Sequence, residues 1–95
     1  MPKIKLNQIV EAMLFASKEP ITTKTIAKII RKVSKREVPD DKLRSVNAKE
    51  VEKVVDTLNR SYQKKSSPYI IEERSNGWSL FTRIEYGVYL RELFP

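Results

Sequence analysis

Residues 70–93 read IIEERSNGWSLFTRIEYGVYLREL. An Asn-Gly pair at 76–77 separates two apolar runs, and such a pair is the strongest short-range signal for a β-hairpin. The pattern predicts strands over Tyr69–Arg74 and Trp78–Arg83. Beyond them, Thr82-Arg-Ile-Glu85 has the form of a capping box and opens a predicted helix to about Phe94, weakened slightly by Gly87. A lone hairpin is barely stable in water. Trp78, Leu80 and Phe81 are therefore expected to pack partly against other elements. The hairpin could be a wing that touches DNA, but it reads mostly as a brace that carries Trp78 inward and positions the helix after it.

Upstream the periodicity is helical. Leu6, Ile9, Val10, Met13 and Leu14 recur at helical spacing, with Asn7 as the expected cap and an end near Lys18, before Glu19-Pro20. Thr22 or Thr23 caps a second helix to about Val33, with Ile26, Ile29, Ile30 and Val33 in one stripe. Residues 34–46, SKREVPDDKLRSV, are polar, charged and broken by Pro39, and read as a loop with room for one helical turn. Asn47-Ala-Lys-Glu50 is a capping box for a third helix whose buried face is Val51, Val54, Val55, Leu58 and Tyr62. KKSSP at 64–68 ends it. The expected fold is mainly α with a small β-hairpin: a winged helix-turn-helix in the order helix, helix, helix, wing, helix, filling 1–95 as a single domain.

Composition limits the chemistry. The 95 residues include no cysteine and no histidine, which removes thiolate zinc sites and the commonest general base. No apolar run approaches the roughly 20 residues of a membrane span. Asp40-Asp41 and Glu72-Glu73 are adjacent acids, but neighbours on a strand face opposite ways and Glu72-Glu73 cannot share a substrate. There is no phosphate loop or nucleophile motif. No enzyme activity, no metal, no cofactor and no small-molecule substrate is expected.

Two blocks carry a family resemblance. IVEAMLFASKEPITTKTIAKII at 9–30 resembles the opening of segregation and condensation protein B, and GWSLFTRIEYGVYLRELF at 77–94 resembles the end of that family's first domain. The resemblance implies a winged-helix protein that binds a kleisin subunit and, through it, an SMC ATPase. Such complexes compact and segregate chromosomes in the cytoplasm, on the nucleoid. Members usually carry two winged-helix domains and form dimers, so the chain is expected to be the N-terminal domain of a two-domain protein and a homodimer.

The side chains mark two kinds of surface. Net charge is +7, and it is concentrated in residues 1–48, where eleven Lys/Arg face five Asp/Glu. On the second helix Lys24, Lys28, Arg31 and Lys35 lie opposite the isoleucine stripe, with Lys32 at the edge and Arg36 following. A run of one sign suits phosphate contacts; a solvated face is the plain alternative. The third helix turns Lys53 and Arg60 outward, but Glu50, Glu52 and Asp56 stand among them, which argues against base readout. Arg74 on the wing completes the candidates for non-specific contact with double-stranded DNA. The second kind of surface is apolar. Leu14 and Phe15 on the first helix, and Ile84, Tyr86, Val88, Tyr89, Leu93 and Phe94 at the end, exceed what so small a domain can bury. They are the candidates for a protein interface. The competing reading is a stand-alone winged-helix DNA-binding transcriptional regulator.

Overall fold

The computed structural model describes residues 4–37 and 40–94; Pro39, read above as breaking the 34–46 segment, and Pro95 lie outside them. The order is α1 (Leu6–Ala16), α2 (Thr23–Arg36), α3 (Asp41–Arg44), α4 (Ala48–Lys64), β1 (Tyr69–Arg74), β2 (Gly77–Thr82), a 3-10 turn (Ile84–Tyr86) and α5 (Gly87–Leu93). It is the expected mainly helical, winged architecture.

Local chemistry starts three of the helices. Thr22 Oγ1 accepts the Thr25 amide at 3.0 Å, Asp40 Oδ1 the Lys42 amide at 3.0 Å, and Asn47 Oδ1 the Glu50 amide at 2.9 Å. Each such cap stabilises a helix by about 1 kcal/mol. Two expected caps do not form. α1 starts at Leu6 behind Lys5 with no side-chain cap, leaving Asn7 inside its first turn. The C-terminal segment starts behind Arg83, again without a side-chain cap, so the Thr82–Glu85 box is not made. There, Thr82 is held in β2 by its pairing with Tyr69. α2 runs to Arg36, beyond the expected Val33, because Ser34 continues its inner face and is 2% exposed. The single turn anticipated within 34–46 is α3.

One core joins α1, α2, α3, α4 and β1. It contains Val10, Leu14, Ile26, Ala27, Ile30, Leu43, Val46, Val51, Val54, Val55, Leu58, Tyr62 and Ile71. Fully burying a large aliphatic side chain stabilises the fold by about 1.5–3 kcal/mol, so the α4 stripe and the Ile26–Ile30 turn dominate the packing. All five residues named above for the buried face of α4 are in it.

The hairpin is antiparallel, with Arg74 opposite Gly77. Its two-residue loop is Ser75-Asn76, with φ of 49° and 67°. The turn thus sits one residue before the Asn-Gly position expected, and Asn76 supplies a left-handed conformation that it tolerates. Gly77 serves a different purpose. A Cβ there would lie 2.8 Å from the Ile21 nitrogen and 2.9 Å from the Pro20 carbonyl carbon. This glycine lets the α1–α2 connection approach β2, where Ile21 and Trp78 exchange backbone hydrogen bonds of 3.0 and 2.8 Å. The outer edge of β1 is held at Ile71. Asn59 on α4 donates to the Ile71 carbonyl at 2.9 Å and accepts from the Ile71 amide at 2.8 Å. Both edges of the hairpin are therefore tied to the helical body.

Trp78 and Leu80 pack against the core as expected. Phe81 does not. It alternates with them along β2 and must face the other way, where Arg74 lies 5.0 Å from its ring centroid.

Candidate functional site

From Ile84 to Phe94 no residue is buried. Ile84 is 93% exposed, Val88 54%, Tyr89 73%, Leu93 67% and Phe94 74%; Tyr86 is also exposed. The segment projects as an arm. A compact chain of 95 residues has a radius of gyration near 12 Å, whereas this one has 14.8 Å. Its accessible surface is 7487 Å², about a third more than a compact monomer of this mass exposes. The arm displays five large hydrophobic side chains that are more than half exposed, Ile84, Val88, Tyr89, Leu93 and Phe94, and exposed apolar surface of this kind marks protein contacts.

A second apolar site lies on α1. Phe15 is 77% exposed and rims a shallow hollow of about 290 Å³ that is also lined by Glu11, Ala12, Tyr62, Tyr69 and Leu80. The Tyr62 hydroxyl donates to Glu11 Oε2 at the hollow's floor, and the Tyr69 ring meets Tyr62 edge-on at 6.2 Å. Leu14 does not belong to this surface. It is 2% exposed, because one helical step turns it from Phe15 into the core, and it is withdrawn as an interface residue. Sequence reasoning missed Tyr69 and the hollow, since Tyr69 and Phe15 come to line it together only across the fold. A third depression, between the outer face of the hairpin and the arm, is lined by Ile70, Arg74, Phe81 and Ile84.

Burial pushes the Tyr62 phenol well above the ordinary tyrosine range, and the hydrogen bond to Glu11 and that carboxylate's charge push it further. A proton held more tightly in the folded chain stabilises the fold fully below the unfolded tyrosine value of about 10, and this contribution is lost as pH rises through the folded value. Urea midpoints of the wild-type chain should therefore fall more steeply above about pH 10 than those of Tyr62→Phe. At neutral pH the variant should be about 1 kcal/mol less stable. Equal alkaline slopes would show that the phenol titrates freely.

The basic candidates are distributed unevenly. Lys24, Lys28, Lys32, Lys35 and Arg36 on α2 are exposed. Arg31 is half-buried and its Nη1 donates to the Val46 carbonyl at 2.7 Å. It braces the entry to α4, which leaves it less free for a phosphate than its exposed neighbours. Arg36 pairs with Glu37 at 3.4 Å. Lys53 and Arg60 are exposed on α4, and Arg74 is occupied on the wing by Glu72 at 3.4 Å. Among the described residues, no group of three or more His, Cys, Asp or Glu is placed to hold a metal ion, and no helix is long and apolar enough to cross a membrane.

The three large helices, the hairpin and the trailing arm define a winged-helix domain with displayed apolar surface. The chain belongs to the family of the segregation and condensation complex subunit ScpB, whose sequence model matches residues 8–95. Three solved structures share the fold. ScpB from Mycobacterium tuberculosis is 17% identical with a TM-score of 0.72, covering 97% of this chain and 51% of that one. A conserved hypothetical protein from Chlorobium tepidum is 25% identical with a TM-score of 0.69, covering 94% and 48%. A dimer of the ScpB N-terminal domain complexed with a ScpA peptide is 26% identical with a TM-score of 0.70, covering 94% and 87%. The chain thus spans about half the length of the first two proteins. No curated protein matches it.

Proposed function

We propose that the chain is a non-catalytic accessory subunit of the SMC–kleisin complex that condenses and segregates chromosomes, acting in the cytoplasm on the nucleoid. Within that subunit it is the N-terminal of two winged-helix domains. The observation that carries the reading is the arm, which presents Ile84, Val88, Tyr89, Leu93 and Phe94 to solvent in a chain of only 95 residues. Membership in the ScpB family supports it, as does the similar N-terminal domain captured as a dimer with a ScpA peptide. The apolar surfaces pair with a second copy and take an amphipathic segment of a ScpA-like kleisin, a recognition mode that needs an apolar groove rather than a catalytic residue. Held near the SMC ATPase by the kleisin, the domain acts as a clamp that biases how the ring opens.

The test is co-purification with the kleisin encoded in the same genome, with stoichiometry by light scattering. The wild-type chain should bind the kleisin and form a dimer. Phe15→Ser and Tyr89→Asp/Leu93→Asp should each fold with stability within about 0.5 kcal/mol of wild type, since these side chains are exposed. At least one should weaken kleisin binding or dimerisation tenfold or more, about 1.4 kcal/mol. A monomer that ignores kleisin and prefers one duplex sequence about a thousandfold would instead establish the regulator.

A further inference from the structure

We infer that the outward face of α2 is a sequence-independent binding surface for the phosphate backbone of double-stranded DNA. The inference goes beyond the subunit assignment and stands on charge and geometry. Between Thr23 and Arg36 the chain has six basic residues and no acid. The structure removes two of them from the surface's account, Arg31 to the Val46 carbonyl and Arg36 to Glu37. Lys24, Lys28, Lys32 and Lys35 are exposed, and none of them takes part in an ion pair among the described residues.

Their orientation is locked. Ile26, Ala27 and Ile30 are at most 3% exposed, so α2 cannot roll. At about 100° per residue, Lys24, Lys28 and Lys35 fall within about 40° of one another, with Lys32 about 80° from Lys24. The row is about 16 Å long, at about 1.5 Å of rise per residue. Rigid, like-charged rows have no internal partner to lose on binding a polyanion and release condensed counterions when they do. α4 occupies the position that reads bases in this fold, yet Glu50, Glu52 and Asp56 are exposed on it beside Lys49 and Lys53. The charge therefore favours the second helix over the third. An anionic membrane fits less well, because interfacial helices insert an apolar face and that of α2 is already spent in the core.

Fluorescence anisotropy with a labelled duplex of mixed sequence tests this on the whole chain. Four phosphate contacts predict a slope of log K against log salt of about −3.6, or roughly a 100-fold loss of affinity between about 50 and 200 mM salt. Lys28→Gln/Lys32→Gln/Lys35→Gln should bind at least tenfold more weakly at low salt and lower the slope by about 3. Lys49→Gln/Lys53→Gln/Lys64→Gln should stay within about threefold of wild type. All six positions are exposed, and circular dichroism confirms that each variant folds. No binding by wild type at about 50 mM salt, an unchanged slope in the α2 variant, a larger loss in the α4 variant, or tighter binding to phosphatidylserine vesicles than to the duplex would each overturn the inference. The subunit assignment is read separately, from kleisin capture by the same proteins.

Discussion

Asn59→Leu is expected to destabilise the fold by about 3 kcal/mol, because two backbone groups lose their partners at once and each orphaned group costs about 1–3 kcal/mol. Asn59 Oδ1 and Nδ2 take up the amide and carbonyl of Ile71, whose side chain is 2% exposed. In an antiparallel pair alternate residues turn their polar groups away from the partner strand. At Ile71 those groups face the helical body, where the amide side chain replaces a missing strand. For a domain of this size the melting temperature should fall by roughly 15 °C. Asn59→Asp keeps an acceptor for the amide but offers no donor to the carbonyl, and should fall between the two. A loss below about 1 kcal/mol in Asn59→Leu would mean that water reaches the strand edge and serves equally well.

Gly77→Val is expected to cost a further amount of the same order, about 3 kcal/mol, from overpacking. The first added carbon already meets the backbone of Pro20 and Ile21 at 2.8–2.9 Å. Relief requires pulling the connection away and breaking the Ile21–Trp78 exchange. Replacing glycine also stiffens the unfolded chain, a gain of about 0.4–1 kcal/mol that is too small to compensate. The contrast is Gly87→Ala. There nothing lies within 4 Å of the added carbon, and φ is −59°, so the arm helix should be favoured by roughly 1 kcal/mol. Thermal melts separate the two. A Gly77→Val protein as stable as wild type would show that the connection moves freely.

Most of the fold is legible in the chain because its signals are local. The α4 stripe repeats at helical spacing over five core residues, and Asn47 caps it in place. The exposure of Phe15 and the arm follows from arithmetic: two helices carry apolar residues on more faces than a small core can cover. The misreadings are equally physical. Thr82–Glu85 matches a capping box, but the first of its residues is recruited by β1. Leu14 and Phe15 are neighbours in sequence, and only the rotation of α1 against the core decides which is hidden. Arg31 counts as one cation among six until the entry to α4 places a carbonyl against it.

Sequence by itself determined the order of elements, the helical core stripes, the existence of the hairpin and the surplus of apolar and basic side chains, since each depends on residues a few positions apart. Tertiary structure alone decided how the hairpin is held: by Asn59 on one edge and Ile21 on the other, with Gly77 making the room. Those partners are separated by 12 residues in one case and by most of the chain in the other, and no local propensity couples groups that meet only when the helices have packed.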